Sequence, residues 1–340
     1  MCIYLGDEES LTYHNREHIF PAGLGGVQML PSGYVSDQAN ALFSPLELQL
    51  MHNSTISINR AMEGPGKRGS LNPKHATESE IYKYTTEDGM IELAYIKSGI
   101  PNSIPQLHIY LQNGDLQFIT PKTEIDYVES FNSFSQAMKN FSNRFVSIKI
   151  NELKDTKIII GYWKKKYYIA FSDMIHIGNY LPKINRIFQN SAIKNVKSHN
   201  THGTFEIPIK EDSATYRVYA KIAFNSLAYL KGLDYVMDSR FNKIRNAIIE
   251  KTNITNLVSP PISSPKIFPP SAHVCIFNNV NNKLISYVCL YQAFSFAFEM
   301  STWDTARDHS SMPLGYICDW QNKKEYSIEY WIKHVANNQI

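Results

Sequence analysis

Residues 16–26 read Arg-Glu-His-Ile-Phe-Pro-Ala-Gly-Leu-Gly-Gly, an acid–histidine pair on a short apolar segment that runs into a glycine-rich turn. Asn40 follows His18 after 22 residues, in a stretch that is expected to enter a helix. Neighbouring side chains on a strand point to opposite faces, so Glu17 and His18 can flank one group from two sides. The apolar segment, the turn and the following helix together predict a small unit of two strands and a helix.

Two motifs resemble those of a known family. The stretches Glu17-His-x-x-Pro-x-x-Leu-Gly-Gly26 and Asn40-x-x-Phe-Ser-x-Leu-Glu47 resemble the HNH, or ββα-metal, endonucleases, in the branch of standalone bacterial nucleases often found near phage-defence genes. The resemblance covers roughly the first fifth of the chain, and residues 220–225 are faintly similar to the C-terminal regions of such proteins. It implies an N-terminal ββα-metal module that cuts DNA and leaves 5′-phosphate and 3′-hydroxyl ends.

The resemblance gives each residue of the motif a role. Hydrolysis of a phosphodiester needs an activated water and positive charge beside the phosphate oxygens, which a neutral histidine and a divalent cation can supply. By position, Glu17 and Asn40 would bind Mg²⁺ or Mn²⁺, cations that prefer oxygen donors and keep several waters. His18 would be the general base. The sequence does not identify the asparagine that often orients this base in the family.

The chain departs from the family at three of four positions that bind zinc. Many relatives hold a structural zinc ion through two Cys-x-x-Cys pairs, which match Cys2, Leu5, Ser36 and Ala39 here. Three of the four are not cysteine, so zinc cannot be held in the family's way and no structural zinc is expected. Either apolar packing of Leu5 and Ala39 replaces the metal, or the module has decayed. The intact acid–histidine–asparagine set favours replacement.

Charge is distributed unevenly along the chain. The formal net charge of +3 does not by itself indicate a nucleic-acid partner. Residues 1–70 hold four basic and seven acidic side chains, so most of the attraction for DNA is expected to come from the rest of the chain. The candidate phosphate-binding residues of the module are Arg16, Arg60, Lys67 and Arg68. For the last three, solvated positions on a charged loop are the alternative.

The segment Ser44-Pro45-Leu46-Glu47 has the pattern of a capping box with proline at the first helical position. It predicts a new helix that begins at Ser44, so the helix that carries Asn40 would be short. Glu47 is then expected to cap Ser44 rather than to bind a metal.

The predicted fold class is α+β, with the ββα-metal module at residues 1–70 and a larger mixed α+β body at residues 71–340. The boundary falls where glycine and proline are frequent, around residues 64–75. Further expected elements are strands at 2–5, 18–20, 91–96, 107–111 and 116–119, an Asn-Gly hairpin at 112–115, helices at 215–231 and 239–251, and an extended segment at 260–270.

Composition indicates a folded, soluble protein, with 43% apolar and 19% charged residues. No run approaches the ~18 apolar residues that span a bilayer, and the first residues lack the pattern of a signal peptide. A cytoplasmic location without a membrane partner is therefore expected. The four cysteines are scattered and are expected to be reduced thiols.

These observations favour a metal-dependent endonuclease with DNA as its partner, and the resemblance implies an effector of prokaryotic antiviral defence. A partner protein or a second copy of the chain is a further expected partner. A restriction or homing endonuclease is the alternative among enzymes. A non-catalytic DNA- or protein-binding subunit with a degenerate module is the alternative from another class of protein.

Overall fold

The computed structural model describes residues 1–121, 127–141, 144–154, 156–182, 184, 195–198, 203–207, 212–259, 267–308 and 313–336. The chain forms two compact units, Met1–Thr77 with Ile209–Ile340, and Glu78–Pro208. This division differs from a module at 1–70 followed by a continuous body, because the C-terminal part shares one hydrophobic core with the N-terminal segment. The helices and sheets together confirm the predicted α+β class.

The described helices are α1 (Asp37–Asn53), α2 (Thr55–Glu63), α3 (Tyr127–Lys139), α4 (Ser213–Lys231), α5 (Leu233–Val236), α6 (Asn242–Ile248), α7 (Thr305–Asp308) and α8 (Ile328–His334). The described strands are β1 (Tyr82–Thr86), β2 (Ile91–Lys97), β3 (Ile100–Ser103), β4 (Gln106–Tyr110), β5 (Leu116–Thr120), β6 (Val146–Lys149), β7 (Lys157–Trp163), β8 (Lys166–Phe171), β9 (Asn195–Ser198), β10 (Gly203–Glu206), β11 (Val258–Ser259), β12 (His273–Val280), β13 (Lys283–Leu290), β14 (Phe294–Thr302), β15 (Leu314–Asp319) and β16 (Lys324–Ser327).

Helix α4 is the centre of the first unit. The Asp212 side chain accepts a hydrogen bond from the Thr215 N–H at its N-terminus, and Gly232 ends it, which confirms the helix expected at 215–231. Residues 217–228 are all buried. The helix packs against α1 and against an antiparallel sheet of order β11-β14-β13-β12-β15-β16. It therefore places its side chains against the N-terminal segment, which carries the candidate motif.

Helix α1 is continuous, so the capping box predicted at Ser44 is wrong. The helix begins after Ser36, whose hydroxyl accepts a hydrogen bond from the Ala39 N–H, and Pro45 lies inside it. A proline inside a helix leaves the carbonyl four residues earlier without its donor. That residue is Ala41, which is exposed, so water can replace the lost donor.

The strands expected at residues 2–5 and 18–20 are not formed as strands. Isolated antiparallel bridges join Cys2 to Gly6 and His18 to Met29, and residues 1–77, all of which are described, contain no longer ladder. Pro21 lacks a backbone N–H, and the turn that follows it leaves no room for a longer pairing. The ββα pattern is thus limited to a hairpin that is held by one isolated bridge and is followed by a helix.

The second unit contains a four-stranded sheet of order β10-β1-β2-β3 and a six-stranded sheet of order β6-β8-β7-β4-β5-β9. The hairpin expected at 112–115 is confirmed, because β4 and β5 pair antiparallel on either side of it. In the first unit, the helix expected at 239–251 is a 3₁₀ turn at Ser239–Phe241 followed by α6. Of the extended segment expected at 260–270, residues 260–266 lie outside the described residues.

Candidate functional site

A short hairpin positions the acid–histidine pair. The Leu30 N–H donates to the Glu17 carbonyl at 2.8 Å, and the Ile19 N–H donates to the Gln28 carbonyl at 3.0 Å. The turn between these two segments requires glycine at position 26, because a Cβ there would overlap the backbone of Phe20. The glycine turn thus fixes the backbone directly after the pair.

The Glu17 carboxylate forms a buried ion pair with Lys221 of α4. The Lys221 ammonium contacts Oε1 of Glu17 and lies 2.6 Å from Oε1 of Glu47. The Lys221 side chain is 1% exposed, and those of Glu17 and Glu47 are 14% and 19% exposed. The ammonium also lies 5.2 Å from the centre of the Phe43 ring. Glu47 therefore pairs with the Lys221 ammonium instead of capping Ser44.

Burial and neighbouring charges shift the pKa values of Lys221 and His18. Burial alone would lower the pKa of Lys221, but attraction and hydrogen bonds from Glu17 and Glu47 outweigh it and raise that pKa. His18 is half-buried, and desolvation lowers its pKa, although the neighbouring Glu17 acts in the opposite direction. His18 is thus held as the neutral imidazole, the form that can accept a proton.

A second contact from α4 fixes the backbone of His18. The Asn225 amide donates to the His18 carbonyl at 2.9 Å, and its Oδ1 accepts a hydrogen bond from the Tyr4 hydroxyl at 2.6 Å. Asn225 is fully buried. It holds the main chain of His18 and not the imidazole, so it differs from the base-orienting asparagine of the HNH pattern.

Asn40 lies on the face of α1 that meets Lys221. Residues three and seven positions later in a helix share a face, and these are Phe43 and Glu47, both of which contact the ammonium. The Oδ1 atom of Asn40 is buried and accepts no hydrogen bond from the described residues. Such an oxygen costs free energy unless a donor or a cation meets it.

These residues fit a divalent cation in the chemistry of their donors. A carboxylate, an amide oxygen and water are the ligands that Mg²⁺ and Mn²⁺ prefer, and the unpartnered Oδ1 of Asn40 is consistent with such a ligand. The described residues contain no group of three His, Cys, Asp or Glu side chains arranged to bind a metal. A cation here would therefore rest on Glu17, Asn40 and water.

The positions that match zinc ligands in the family are packed together. The Cys2 thiol accepts hydrogen bonds from the N–H and hydroxyl of Ser36 at 3.4 and 3.5 Å. Cys2 and Ala39 are fully buried, and Leu5 packs against the same core. A turn closed by two hydrogen bonds between Cys2 and Gly6 lies beside the start of α1. Apolar packing at these positions joins the turn to the helix.

The four candidate phosphate-binding residues fall into two groups. Arg16 donates to the carbonyls of Leu30 and Met29 at 2.9 and 3.2 Å. Arg60 is 4% exposed and donates to the Met51 carbonyl in α1 and to the Gly66 carbonyl in the loop after α2. Both guanidinium groups thus hold the backbone, and the burial of Arg60 removes it from contact with a phosphate.

Lys67 and Arg68 are exposed on a short 3₁₀ turn, Lys67–Gly69. The turn packs closely on the loop that follows His18, since a Cβ on Gly69 would lie 2.6 Å from the Ala22 carbonyl oxygen. Two exposed basic side chains are thus placed next to the turn of the acid–histidine motif.

Sequence patterns assigned no role to Lys221 or Asn225, and they did not identify Glu47 as an ion-pair partner. One signal could have found the first two. A lysine and an asparagine lie four residues apart in the middle of an otherwise apolar helix, so they share one face. Buried charged and amide groups are rare unless they have partners elsewhere in the fold.

Comparison of the chain with family models, with curated proteins and with solved structures found no match. Among the described residues, no helix is long and apolar enough to cross a membrane.

Proposed function

We propose that the protein is a metal-dependent endonuclease that hydrolyses DNA phosphodiester bonds at the site formed by Glu17, His18 and Asn40. The observation that carries the proposal is a half-buried, neutral histidine beside a carboxylate that is held in an ion pair, with a buried amide oxygen on the neighbouring helix that has no hydrogen-bond partner among the described residues. A base and two oxygen ligands are the groups that phosphodiester hydrolysis requires.

Each residue has a distinct part in this reaction. The His18 imidazole takes the proton from an attacking water, and its lowered pKa keeps it ready to do so at neutral pH. Glu17 and Asn40 would hold Mg²⁺ or Mn²⁺, which when bound supplies positive charge beside the phosphate oxygens. Lys67 and Arg68 hold the DNA backbone through its phosphates. The resemblance to the HNH branch favours a role in prokaryotic antiviral defence.

The test is cleavage of supercoiled plasmid by the purified protein with Mg²⁺, with Mn²⁺ and with EDTA. His18→Ala prepared in parallel should lose nicking, because no other described residue at the site offers a neutral imidazole. His14→Ala is the matched control, since His14 is exposed and lies four residues earlier. Nicking that persists in His18→Ala or in EDTA would reject the mechanism.

The products distinguish the alternatives. A smear indicates cutting with little sequence preference, and discrete bands indicate a restriction or homing enzyme. DNA binding without cleavage, unchanged by EDTA and by His18→Ala, would identify a non-catalytic binding subunit.

A further inference from the structure

Lys221 pairs with two carboxylates, Glu17 of the candidate motif and Glu47 of α1. Each carboxylate contacts the ammonium through its Oε1 atom, and neither Oε2 atom has a hydrogen-bond partner among the described residues. Glu47 could therefore be a third ligand to the cation of the proposed site, or it could act only through Lys221.

Helix geometry favours the role of Glu47 through Lys221. Asn40 and Glu47 are seven residues apart, which separates them by about 10 Å along the axis of α1. Two oxygens bound to one Mg²⁺ lie within about 4 Å of each other, since each bond is about 2.1 Å long. Phe43 lies between the two residues on the same face, and Glu47 is turned to the ammonium. Glu47 is therefore unsuited to share a cation with Asn40.

We propose that Lys221 and Glu47 are positioning residues for Glu17. The ammonium fixes Oε1 of Glu17, so that Oε2 is left in a defined place for the cation. Glu47 balances the ammonium and holds it against the Phe43 ring. This inference rests on the proposed metal site, and it makes the ligand geometry of the N-terminal motif depend on a helix from the C-terminal part of the chain.

A charge-matched variant separates the positioning of Glu17 from the net charge of the cluster. Two carboxylates and one ammonium give the cluster a net charge of −1. The double variant Glu47→Gln/Lys221→Met leaves only the Glu17 carboxylate, which is again −1. Glu17 loses its partner in this variant, which is destabilising, so folding is checked by circular dichroism before metal binding is measured. The double variant thus removes positioning without changing the net charge.

The measurement is the affinity of the full-length protein for Mn²⁺, followed by titration calorimetry or by the electron paramagnetic resonance of free Mn²⁺. Loss of partners that orient a ligand typically weakens metal binding 10–100-fold, so the double variant should lose affinity by about that factor. The control is Glu329→Gln/Lys333→Met, which removes an exposed ion pair of α8 at 2.6 Å and should leave the affinity unchanged.

Other outcomes would overturn the inference in distinguishable ways. A double variant that binds Mn²⁺ as tightly as the wild type, or more tightly, would mean that Lys221 only neutralises Glu17 or competes with the cation. Failure of the wild type to bind Mn²⁺ would reject the proposed function itself. If the double variant does not fold, Glu47→Asp keeps the charge while drawing the ammonium away from Glu17, and unchanged affinity in that variant would overturn the proposal.

Discussion

The buried chain of contacts from Tyr4 through Asn225 to the His18 carbonyl should couple stability to activity. Asn225→Leu removes both hydrogen bonds at once and leaves the His18 carbonyl and the Tyr4 hydroxyl without their partner. Each buried polar group left unpaired costs about 1–3 kcal/mol. We expect a loss of about 2–4 kcal/mol, because the hydroxyl retains a long contact of 3.5 Å to the Lys221 carbonyl.

A double-mutant cycle separates the two contacts. Tyr4→Phe removes only the hydroxyl and should cost about 1–2 kcal/mol. In Tyr4→Phe/Asn225→Leu both partners of the buried bond are absent, so only the His18 carbonyl stays unpaired. The double variant should then be at least about 1 kcal/mol more stable than the sum of the single losses predicts.

Urea unfolding followed by tryptophan fluorescence is a suitable assay, because Trp303, Trp320 and Trp331 lie in the first unit. Plasmid nicking is measured on the same samples under conditions where each variant is folded. Tyr4→Phe should retain nicking, because Asn225 still holds His18. Asn225→Leu should lose about 100-fold, as a small displacement of a catalytic group can do. Additive stability losses, or full nicking by Asn225→Leu, would refute the reasoning.

Three further predictions concern pH, the turn and DNA binding. Burial lowers the pKa of His273 to about 3, so the unfolded chain binds a proton below pH 6.5 that the folded chain does not. The free energy of unfolding should therefore fall by up to about 1.4 kcal/mol per unit as the pH drops from 6.5 toward 3, and His273→Gln should flatten this slope in urea titrations. Gly26→Ala should destabilise the protein by more than about 2 kcal/mol in the same assay, because its Cβ would overlap the Phe20 backbone; wild-type stability would contradict the turn geometry. Lys67→Ala and Arg68→Ala should each weaken DNA binding and reduce the slope of log affinity against log salt by about 1, and an unchanged slope would exclude the residue as a phosphate contact.

The parts of the site that the sequence could indicate are those encoded locally. Glu17 and His18 are adjacent and are followed at once by the glycine turn, so one short segment contains the whole signal. Asn40 lies on a helix whose start at Ser36 is a local cap. The hairpin at 112–115 and the end of α4 at Gly232 are likewise determined by nearby residues.

The parts that sequence reasoning missed depend on distant contacts. Glu47 fits a capping box by spacing alone, but its role is determined by the buried ammonium of Lys221, which follows 174 residues later. Arg60 resembles a solvent-facing charge, yet its side chain is buried among backbone carbonyls. The two-unit organisation was missed for the same reason, since only the shared core shows that residues after 208 belong with the first 77.

The insertion of the whole second unit between the motif and α4 has a consequence during protein synthesis. Glu17 leaves the ribosome long before Lys221, which follows 204 residues later. At synthesis rates of about 5–20 residues per second, this delay is about 10–40 s. A polypeptide that is incomplete, or that ends early at a premature stop codon, would lack the helix that orders the acid. Under the proposed function, such truncated products would lack an ordered metal ligand and would not cut DNA.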